Sequence, residues 1–369
     1  MKIYNKIVKI CFVLLMGITI LCMNVAPKKV EAASYQEKVQ EYRAVWVSHF
    51  VGDIPRYTSE EKYKADFNKI LDNMEAWGFN AMVFHVRTHN NALYKSELNP
   101  IASWWSEVNF DEFDPLEWSI QACHDRGIEF HAWMNPYRIT TSGTYPANSY
   151  ETKYPEGNPG NDPSNFITVG DSIILDPGIP SNRDFIVDTC MELVENFDVD
   201  AIHFDDYFYI SGSDDTATRA KYNTENLSVG DFRRKQVDLF IEQLHNELSV
   251  FNKENNRAVE LGISPSGVYR NGSYPAGTTP TYDSNGSMTY PTASNTGGFA
   301  HYGDYLYSDT KHWIDQEWID YITPQTYHSI DNKYSGFAKL AEWWNWCIAN
   351  KKVNLSMGIG IYMAIDNSG

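Results

Sequence analysis

The sequence predicts an α/β protein of the TIM (β/α)8-barrel type that lacks strand and helix 8. Segments with strand character alternate with helical segments along the chain, which is typical of parallel sheets. Long connections follow the third and fifth strands. Polar side chains stand at or just past the carboxyl ends of the strands, where barrel enzymes carry their chemistry. These three observations favour a barrel whose site lies at that end.

Seven strands and six helices can be assigned along the chain. The strands are predicted at 42–50, 80–87, 128–137, 201–210, 259–267, 320–328 and 353–363. The helices are predicted at 60–77, 114–126, 181–197, 230–252, 304–317 and 336–350. Asp114 is the expected N-cap of the second helix, with Pro115 at its first position. The sequence ends at Gly369, just past the seventh strand, so we expect a barrel without its eighth unit.

The first residues have the pattern of a secretory signal peptide. Three lysines precede an apolar run at 10–23, and a small-residue cleavage site follows at Ala32 or Ala33. The run is too short for a good membrane span. We therefore expect a signal peptide at 1–32, a linker at 33–40 and one barrel domain at 41–369. The expected location is outside the cell or in its envelope, without a membrane span after cleavage.

Composition limits the partners of the chain. The net charge is −18, and removal of 1–32 takes away five Lys and one Glu, which leaves −22. So acidic a chain argues against nucleic acid as a partner. The remaining cysteines, Cys123, Cys190 and Cys347, lie among apolar residues and are predicted to be buried free thiols. We expect no metal or other cofactor, and the sequence indicates no oligomeric state.

Two adjacent carboxylates interrupt the apolar fourth strand, "AIHFDDYFYI". Alternation places His203 and Asp205 on the face toward the barrel interior, and Asp206 can also reach the cleft because alternation loosens at a strand end. Burial beside a second acid raises the pKa of a carboxyl group, and a neutral carboxylic acid can protonate a glycosidic oxygen. We expect Asp205 to be the general acid/base and Asp206 to be a second catalytic residue. The alternative is that Asp206 merely caps the next loop.

Several long motifs resemble the bacterial glycosyl hydrolase-like 10 family. Among them are "YRAVWVSHF", "FDPLEWSIQACHDRGIEFHAWMNPYR", "VDAIHFDDYFY" and "GISPSGVYRN", and the resemblance covers roughly 41–365. It implies a secreted or envelope-associated barrel that hydrolyses peptidoglycan glycan strands stripped of their stem peptides. One departure is visible: the family pattern tends to read Gly-Asp-Ala-Leu-Tyr, whereas Asn90 and Asn91 precede Ala92 here.

Other polar and aromatic residues near the strand ends are candidates for binding the polysaccharide substrate. They are His85, Arg87, Trp133, Asn135, Tyr207, Arg270, Gln325 and Tyr327. Arg87 could hold a sugar hydroxyl or a lactyl carboxylate, or form a structural ion pair with Asp205. The amides could bind hydroxyls or an acetamide, and the aromatic rings could stack on sugars; each could instead serve internal packing.

No strand end offers a well-placed Glu as the second catalytic carboxylate. A 2-acetamido group of the substrate can supply the nucleophile, in which case the adjacent acid pair suffices. Alternatively, the partner acid comes from a loop or from an eighth strand. Two other functions stay open. The "HVRTH" segment at 85–89 has the His spacing of metal-dependent polysaccharide deacetylases, and a non-catalytic carbohydrate-binding barrel would need no second acid.

Overall fold

The computed structural model describes residues 41–141 and 154–365. The predicted signal peptide and linker lie outside these ranges. The strands are β1 (Ala44–Val47), β2 (Ala81–Arg87), β3 (Glu129–Met134), β4 (Arg138–Thr140), β5 (Phe166–Val169), β6 (Ser172–Leu175), β7 (Ala201–Asp205), β8 (Glu260–Ser264), β9 (Thr281–Tyr282), β10 (Met288–Tyr290), β11 (Tyr321–Ile322) and β12 (Asn354–Leu355). The helices are α1 (Glu60–Trp77), α2 (Pro115–His124), α3 (Pro180–Asn196), α4 (Thr216–Tyr222), α5 (Val229–Asn255), α6 (Thr310–Gln316), α7 (Phe337–Ile348) and α8 (Ile361–Ile365).

Seven strands form one parallel sheet, which confirms the predicted fold class. Their order in the sheet is β1-β2-β3-β7-β8-β11-β12, and every neighbouring pair is parallel. Because the order in space follows the order in the chain, each crossover moves the chain one strand along, as in a (β/α) barrel. Within the described ranges β1 and β12 are the two edges, so the sheet is an open half-barrel.

The sheet curls until side chains from distant strands meet on its inner face. Nδ1 of His203 on β7 lies 2.8 Å from the Tyr321 hydroxyl on β11. The same hydroxyl lies 2.7 Å from Nδ1 of His131 on β3, and the Tyr42 hydroxyl lies 3.2 Å from that nitrogen. Phe204 points the other way and packs on α5. β7 therefore alternates between barrel interior and outer helices, as its sequence predicts.

The helix boundaries follow local capping. Asp114 caps α2, as predicted: its side chain accepts hydrogen bonds from the backbone N–H groups of the first turn, where Pro115 stands. The fifth predicted helix, expected from 304, corresponds to α6 and begins at Thr310, because Asp304 and Tyr307 have positive φ angles of 45° and 55° that no helix accommodates. α4 was not predicted.

The last strand is much shorter than predicted. The sequence favours a strand at 353–363, but pairing with β11 ends at Leu355 and the chain is helical from Ile361. Gly358 makes one isolated bridge to Gln325. A Cβ at Gly358 would lie 3.1 Å from the carbonyl oxygen of Pro324, so the chain passes β11 too closely for an ordinary strand residue.

Two long connections contain antiparallel sheets where the sequence predicts loops. After β3, the strands β4, β6 and β5 form a three-stranded sheet in that order, and after β8, β9 pairs with β10. The sequence contains a turn signal for the first of these sheets. Val169 pairs with Ser172, so the hairpin turns through Gly170 and Asp171, and the φ of Gly170 is 59°. Strands of three or four residues are too short to reveal their alternation clearly.

The long helices bury apolar side chains along one face. Cys123, Cys190 and Cys347 are buried free thiols, as predicted. Trp343 and Trp344 of α7 are fully buried. Across the part of the chain that the structure describes, every helix is too short or too polar to cross a bilayer.

Candidate active site

Asp205 and Asp206 lie at the carboxyl end of β7, in the centre of the parallel sheet. Their exposed fractions are 3% and 4%. β7 is flanked by β3 on one side and β8 on the other. The surroundings of each carboxyl group therefore depend on which neighbouring strand it meets.

Asp205 is held from the β3 side. Its Oδ2 accepts a hydrogen bond of 2.6 Å from Nδ2 of Asn135, and its Oδ1 accepts one of 3.2 Å from the backbone N–H of Tyr207. Burial raises the pKa of Asp205, while the nearby Arg138 guanidinium and these hydrogen bonds act in the opposite direction. Both oxygens are thus satisfied in the ionised state.

Asn135 is fixed by charged or polar partners on both sides of its amide. Its Oδ1 faces Nη1 of Arg138 at 2.7 Å and Nε2 of His85 at 3.0 Å. A guanidinium must donate, so this side of the amide is the oxygen and the side toward Asp205 is the N–H. His85 then donates from Nε2, and its Nδ1 accepts from the Ser48 hydroxyl at 2.9 Å. These contacts therefore fix which atom donates in each hydrogen bond from Ser48 through His85 and Asn135 to Asp205.

His85 is a neutral positioning residue. Burial lowers its pKa well below the usual value, and Arg138 lowers it further. Its ring stacks on Trp133, with centroids 3.7 Å apart and planes 9° from parallel. The Trp133 indole N–H has no normal hydrogen bond among the described residues but helps to lower the pKa of Asp205. The candidates His85, Trp133 and Asn135 thus support Asp205.

Asp206 is held from the β8 side, in the described structure by one hydrogen bond to its carboxyl group where Asp205 has two. Its Oδ2 accepts a 2.6 Å hydrogen bond from the backbone N–H of Ser266. The Ser266 hydroxyl lies 3.3 Å from Nδ1 of His301, whose Nε2 lies 2.8 Å from the Thr310 hydroxyl. Burial raises the pKa of Asp206 to about 7, Ser266 lowers it and the neighbouring Asp205 raises it. Asp206 therefore carries a proton at pH values where a free aspartate is ionised.

Arg87 is placed differently from the prediction. Its side chain is fully buried and donates to the carbonyl oxygens of Asn135 and Pro136, at 2.6 and 2.8 Å, and to Oδ1 of Asn90 at 2.7 Å. It forms no ion pair with Asp205 in the described structure. It holds the segment after β3 through its hydrogen bonds to the two carbonyl oxygens.

The remaining candidates surround the cleft at different depths. Tyr207 is 46% exposed above the carboxyl pair. Tyr327 is half-buried, and its pKa is raised to about 12, by burial first and also by the tyrosines and both aspartates near it. Gln325 donates to the carbonyl oxygen of Ser264 at 2.8 Å, so its amide is partly used internally. Arg270 lies exposed on the loop after β8, with its guanidinium 4.7 Å from the Tyr302 ring centroid.

Four residues of the site were not identified from the sequence: Ser48, Arg138, Ser266 and His301. Arg138 begins β4, in the segment predicted as a loop, and its guanidinium lies 5.1 Å from the ring centroid of Tyr207 and 5.8 Å from that of Phe50. The sequence signal that could have identified Arg138 is its position three residues beyond Asn135, within "MNPYR". The Ser266 contact is a backbone N–H, which no side-chain pattern reveals.

The described residues contain no group of three or more His, Cys, Asp or Glu side chains that could hold a metal ion. Both ring nitrogens of His85 are engaged, one by Ser48 and one by Asn135. The first histidine of the "HVRTH" segment therefore has no free lone pair for a metal in this arrangement.

Comparisons with known proteins agree with the resemblance seen in the sequence. The chain is 34% identical over 341 residues to the Glycosyl hydrolase YngK of Bacillus subtilis (strain 168), covering 89% of this chain and 62% of that protein, so it spans less than two thirds of this relative. It is 31% identical over 355 residues to the Glycosyl hydrolase DigH of Escherichia coli (strain K12), covering 89% and 75%.

Among solved structures, the glycoside hydrolase domain of PgaB (BpsB) from Bordetella bronchiseptica matches with a TM-score of 0.46 and 13% identity, over 89% of this chain and 81% of that one. The model of the family described as glycosyl hydrolase-like 10 matches residues 41–367. The chain belongs to the glycosyl hydrolase-like 10 family.

Proposed function

We propose that this chain is an exported glycoside hydrolase that cleaves a bacterial cell-wall glycan containing 2-acetamido sugars, with denuded peptidoglycan as the substrate. One observation carries the proposal: two adjacent, buried carboxyl groups with unlike surroundings lie at the carboxyl end of a parallel barrel sheet. Pairs of carboxyl groups whose surroundings separate their pKa values are typical of glycosidases. Membership of the family and the printed names of both relatives support hydrolysis of glycosides in general.

Asp206 is the proton donor in this proposal, and its raised pKa of about 7 supports that role. A general acid works best when its pKa lies near the working pH. Asp205 was the residue expected from the sequence. The hydrogen bonds from Asn135 and Tyr207 and the nearby Arg138 instead favour the ionised form of Asp205.

Asp205 then stabilises positive charge on the substrate. The carbonyl oxygen of the 2-acetamido group attacks C1, the C1–O bond breaks, and the leaving oxygen takes the proton of Asp206. The Asp205 carboxylate accepts a hydrogen bond from the acetamido N–H, which becomes more acidic as charge develops. A water molecule then adds to C1 and returns its proton to Asp206, which restores both groups.

A nucleophile supplied by the substrate fits the charges described around the pair. Asp205 raises the pKa of Asp206, and the Arg138 cation lowers that of Asp205. A glycosidase without help from the substrate needs a second carboxylate across the bond, as nucleophile or as general base, about 5–9 Å from the acid. The adjacent pair serves the substrate-assisted route without such a residue.

The test is incubation of the purified chain with denuded peptidoglycan glycan, chitin oligosaccharide and a neutral glucan, followed by mass analysis of the products. We expect new reducing ends from the acetamido glycans and none from the glucan. Release of acetate without chain cleavage would indicate a deacetylase. Retention of glycan without any product would indicate a carbohydrate-binding barrel, which is the next candidate because no predicted strand end offers a well-placed Glu as a second carboxylate.

A further inference from the structure

We propose that Arg138 determines specificity by binding a carboxylate on the glycan, namely the lactyl carboxylate that distinguishes one of the two alternating sugars of bacterial wall glycan. This inference rests on the proposed function and names the substrate feature that the site recognises. It assigns to Arg138 the role that the sequence suggested for Arg87.

Arg138 is poised for a ligand because its guanidinium is little used by the protein. Among the described residues its guanidinium makes one hydrogen bond, from Nη1 to Oδ1 of Asn135 at 2.7 Å. It forms no ion pair with a carboxylate in the described ranges, although Asp205 is close enough to influence its pKa. Four of its five N–H groups thus lack an acceptor among the described residues.

Two aromatic rings hold this guanidinium above the carboxyl pair. Its central carbon lies 5.1 Å from the ring centroid of Tyr207, after β7, and 5.8 Å from that of Phe50, after β1. Contact with two rings restricts the movement of the guanidinium, and its N–H groups without an acceptor suit a planar, bidentate partner. A carboxylate has that shape, and a pair of this kind is stronger than a neutral hydrogen bond.

The acidic charge of the whole chain gives such a cation a function when the substrate is an anion. The net charge is −18, so a glycan that carries one carboxylate per disaccharide is repelled by the protein at long range. Arg87 cannot compensate, because it is fully buried and bound to carbonyl oxygens. Arg270 lies exposed over the Tyr302 ring, and in the described ranges it forms no ion pair with either aspartate. Of these three arginines, Arg138 is the one close enough to Asp205 to lower its pKa.

The experiment compares denuded peptidoglycan glycan with the same glycan after its carboxyl groups have been converted to neutral amides. For each, kcat/KM and affinity by calorimetry are measured with the wild type and with Arg138→Gln, Arg138→Lys and Arg257→Gln. Arg257 is a matched control, because it removes the same charge near the opposite ends of the strands, where it donates to the carbonyl oxygen of Val199.

We expect the wild type to prefer the carboxylated glycan, and Arg138→Gln to reduce that preference about 10- to 100-fold. Arg138→Lys should keep part of the preference, and Arg257→Gln should keep all of it. Because Arg138 also influences Asp205, the Gln variant can be slower on both glycans. The ratio between the glycans cancels that common effect.

Equal losses on both glycans, or no preference in the wild type, would overturn the inference and leave Arg138 as a positioning residue for Asn135. If the wild type cleaves neither glycan, the proposed function fails, and affinity decides the inference alone. Tighter binding of the carboxylated glycan that disappears in Arg138→Gln then supports it. Binding of neither glycan contradicts it.

Discussion

At the scale of single residues, Asp205 and Asp206 are chain neighbours with different chemistry, and distant partners cause the difference. Asn135, 70 positions earlier, donates to Asp205, whereas Ser266, 60 positions later, donates to Asp206. The pKa of Asp206 is raised to about 7. Burial also raises the pKa of Asp205, but the Arg138 cation and the hydrogen bonds to its carboxylate act against that rise. A strand end between two other strands can thus hold a proton donor beside an anion.

This arrangement predicts a bell-shaped dependence of kcat on pH. Activity requires protonated Asp206, so it should fall as the pH rises through about 7. It also requires ionised Asp205, so it should fall on the acid side as the pH drops through the raised pKa of Asp205. The measurement is kcat on denuded glycan from pH 3 to 10, for the wild type and Asp206→Asn. An unchanged alkaline limb in the residual activity of the variant would show that another group donates the proton.

A second prediction concerns the residue that sets the charge of Asp205. Asn135→Asp replaces the N–H donor by a carboxylate oxygen next to Asp205, so the pKa of Asp205 should rise further. We expect the acid limb of the kcat profile to move to higher pH and kcat at neutral pH to fall about 10- to 100-fold. Asn255→Asp, at the exposed end of α5, adds the same charge as a control. Parallel losses at all pH values would argue for simple misfolding of the site.

At the scale of elements, the packing of α5 against α6 includes a carboxyl group with a raised pKa. Asp238 of α5 accepts a 2.6 Å hydrogen bond from Nε1 of Trp313 on α6. Burial raises the pKa of Asp238 to about 7, although the Trp313 hydrogen bond lowers it. The folded chain therefore holds a proton that the unfolded chain has lost above about pH 4. The free energy of unfolding should fall as the pH rises from about 4 to 7.

Asp238→Asn keeps an acceptor oxygen for Trp313 and carries no charge. We expect its free energy of unfolding to exceed that of the wild type by about 1 to 2 kcal/mol at pH 8, and this gain to disappear near pH 4. Urea unfolding at the two pH values measures it, with Glu254→Gln on the exposed surface of α5 as the charge-matched control. A difference from wild type that is the same at both pH values would contradict the assigned pKa.

At the scale of the whole molecule, the sequence predicts those features of the fold that depend on hydrophobic periodicity and on helix capping. The seven parallel strands, the Asp114 cap and the carboxyl pair at a strand end follow from local pattern, and the structure has all three. The roles of Asp205 and Asp206 did not follow, because they depend on side chains brought together by the barrel. Arg138 was missed because its short strand exists through pairing with β6, not through its own alternation.

The pattern of the first residues predicts that the chain is exported. We expect the mature protein to lack 1–32 or 1–33, because Ala32 and Ala33 provide the small residues that signal peptidase requires. Mass spectrometry of the protein recovered from the medium or envelope checks this. Recovery of extracellular protein that still carries 1–25 would contradict it.

The central claim, that Asp206 protonates the leaving oxygen beside a charged Asp205, is tested most directly by changing the leaving group. First-turnover rates, in which the leaving group departs, are measured for Asp206→Asn and Asp205→Asn on the natural glycan and on a dinitrophenyl glycoside of its disaccharide, whose leaving group needs no proton. The account predicts that Asp206→Asn loses about 10²- to 10⁴-fold on the glycan but little on the dinitrophenyl glycoside, whereas Asp205→Asn is slow on both. Equal losses of Asp206→Asn on the two substrates, or near-normal cleavage of the glycan, would contradict it.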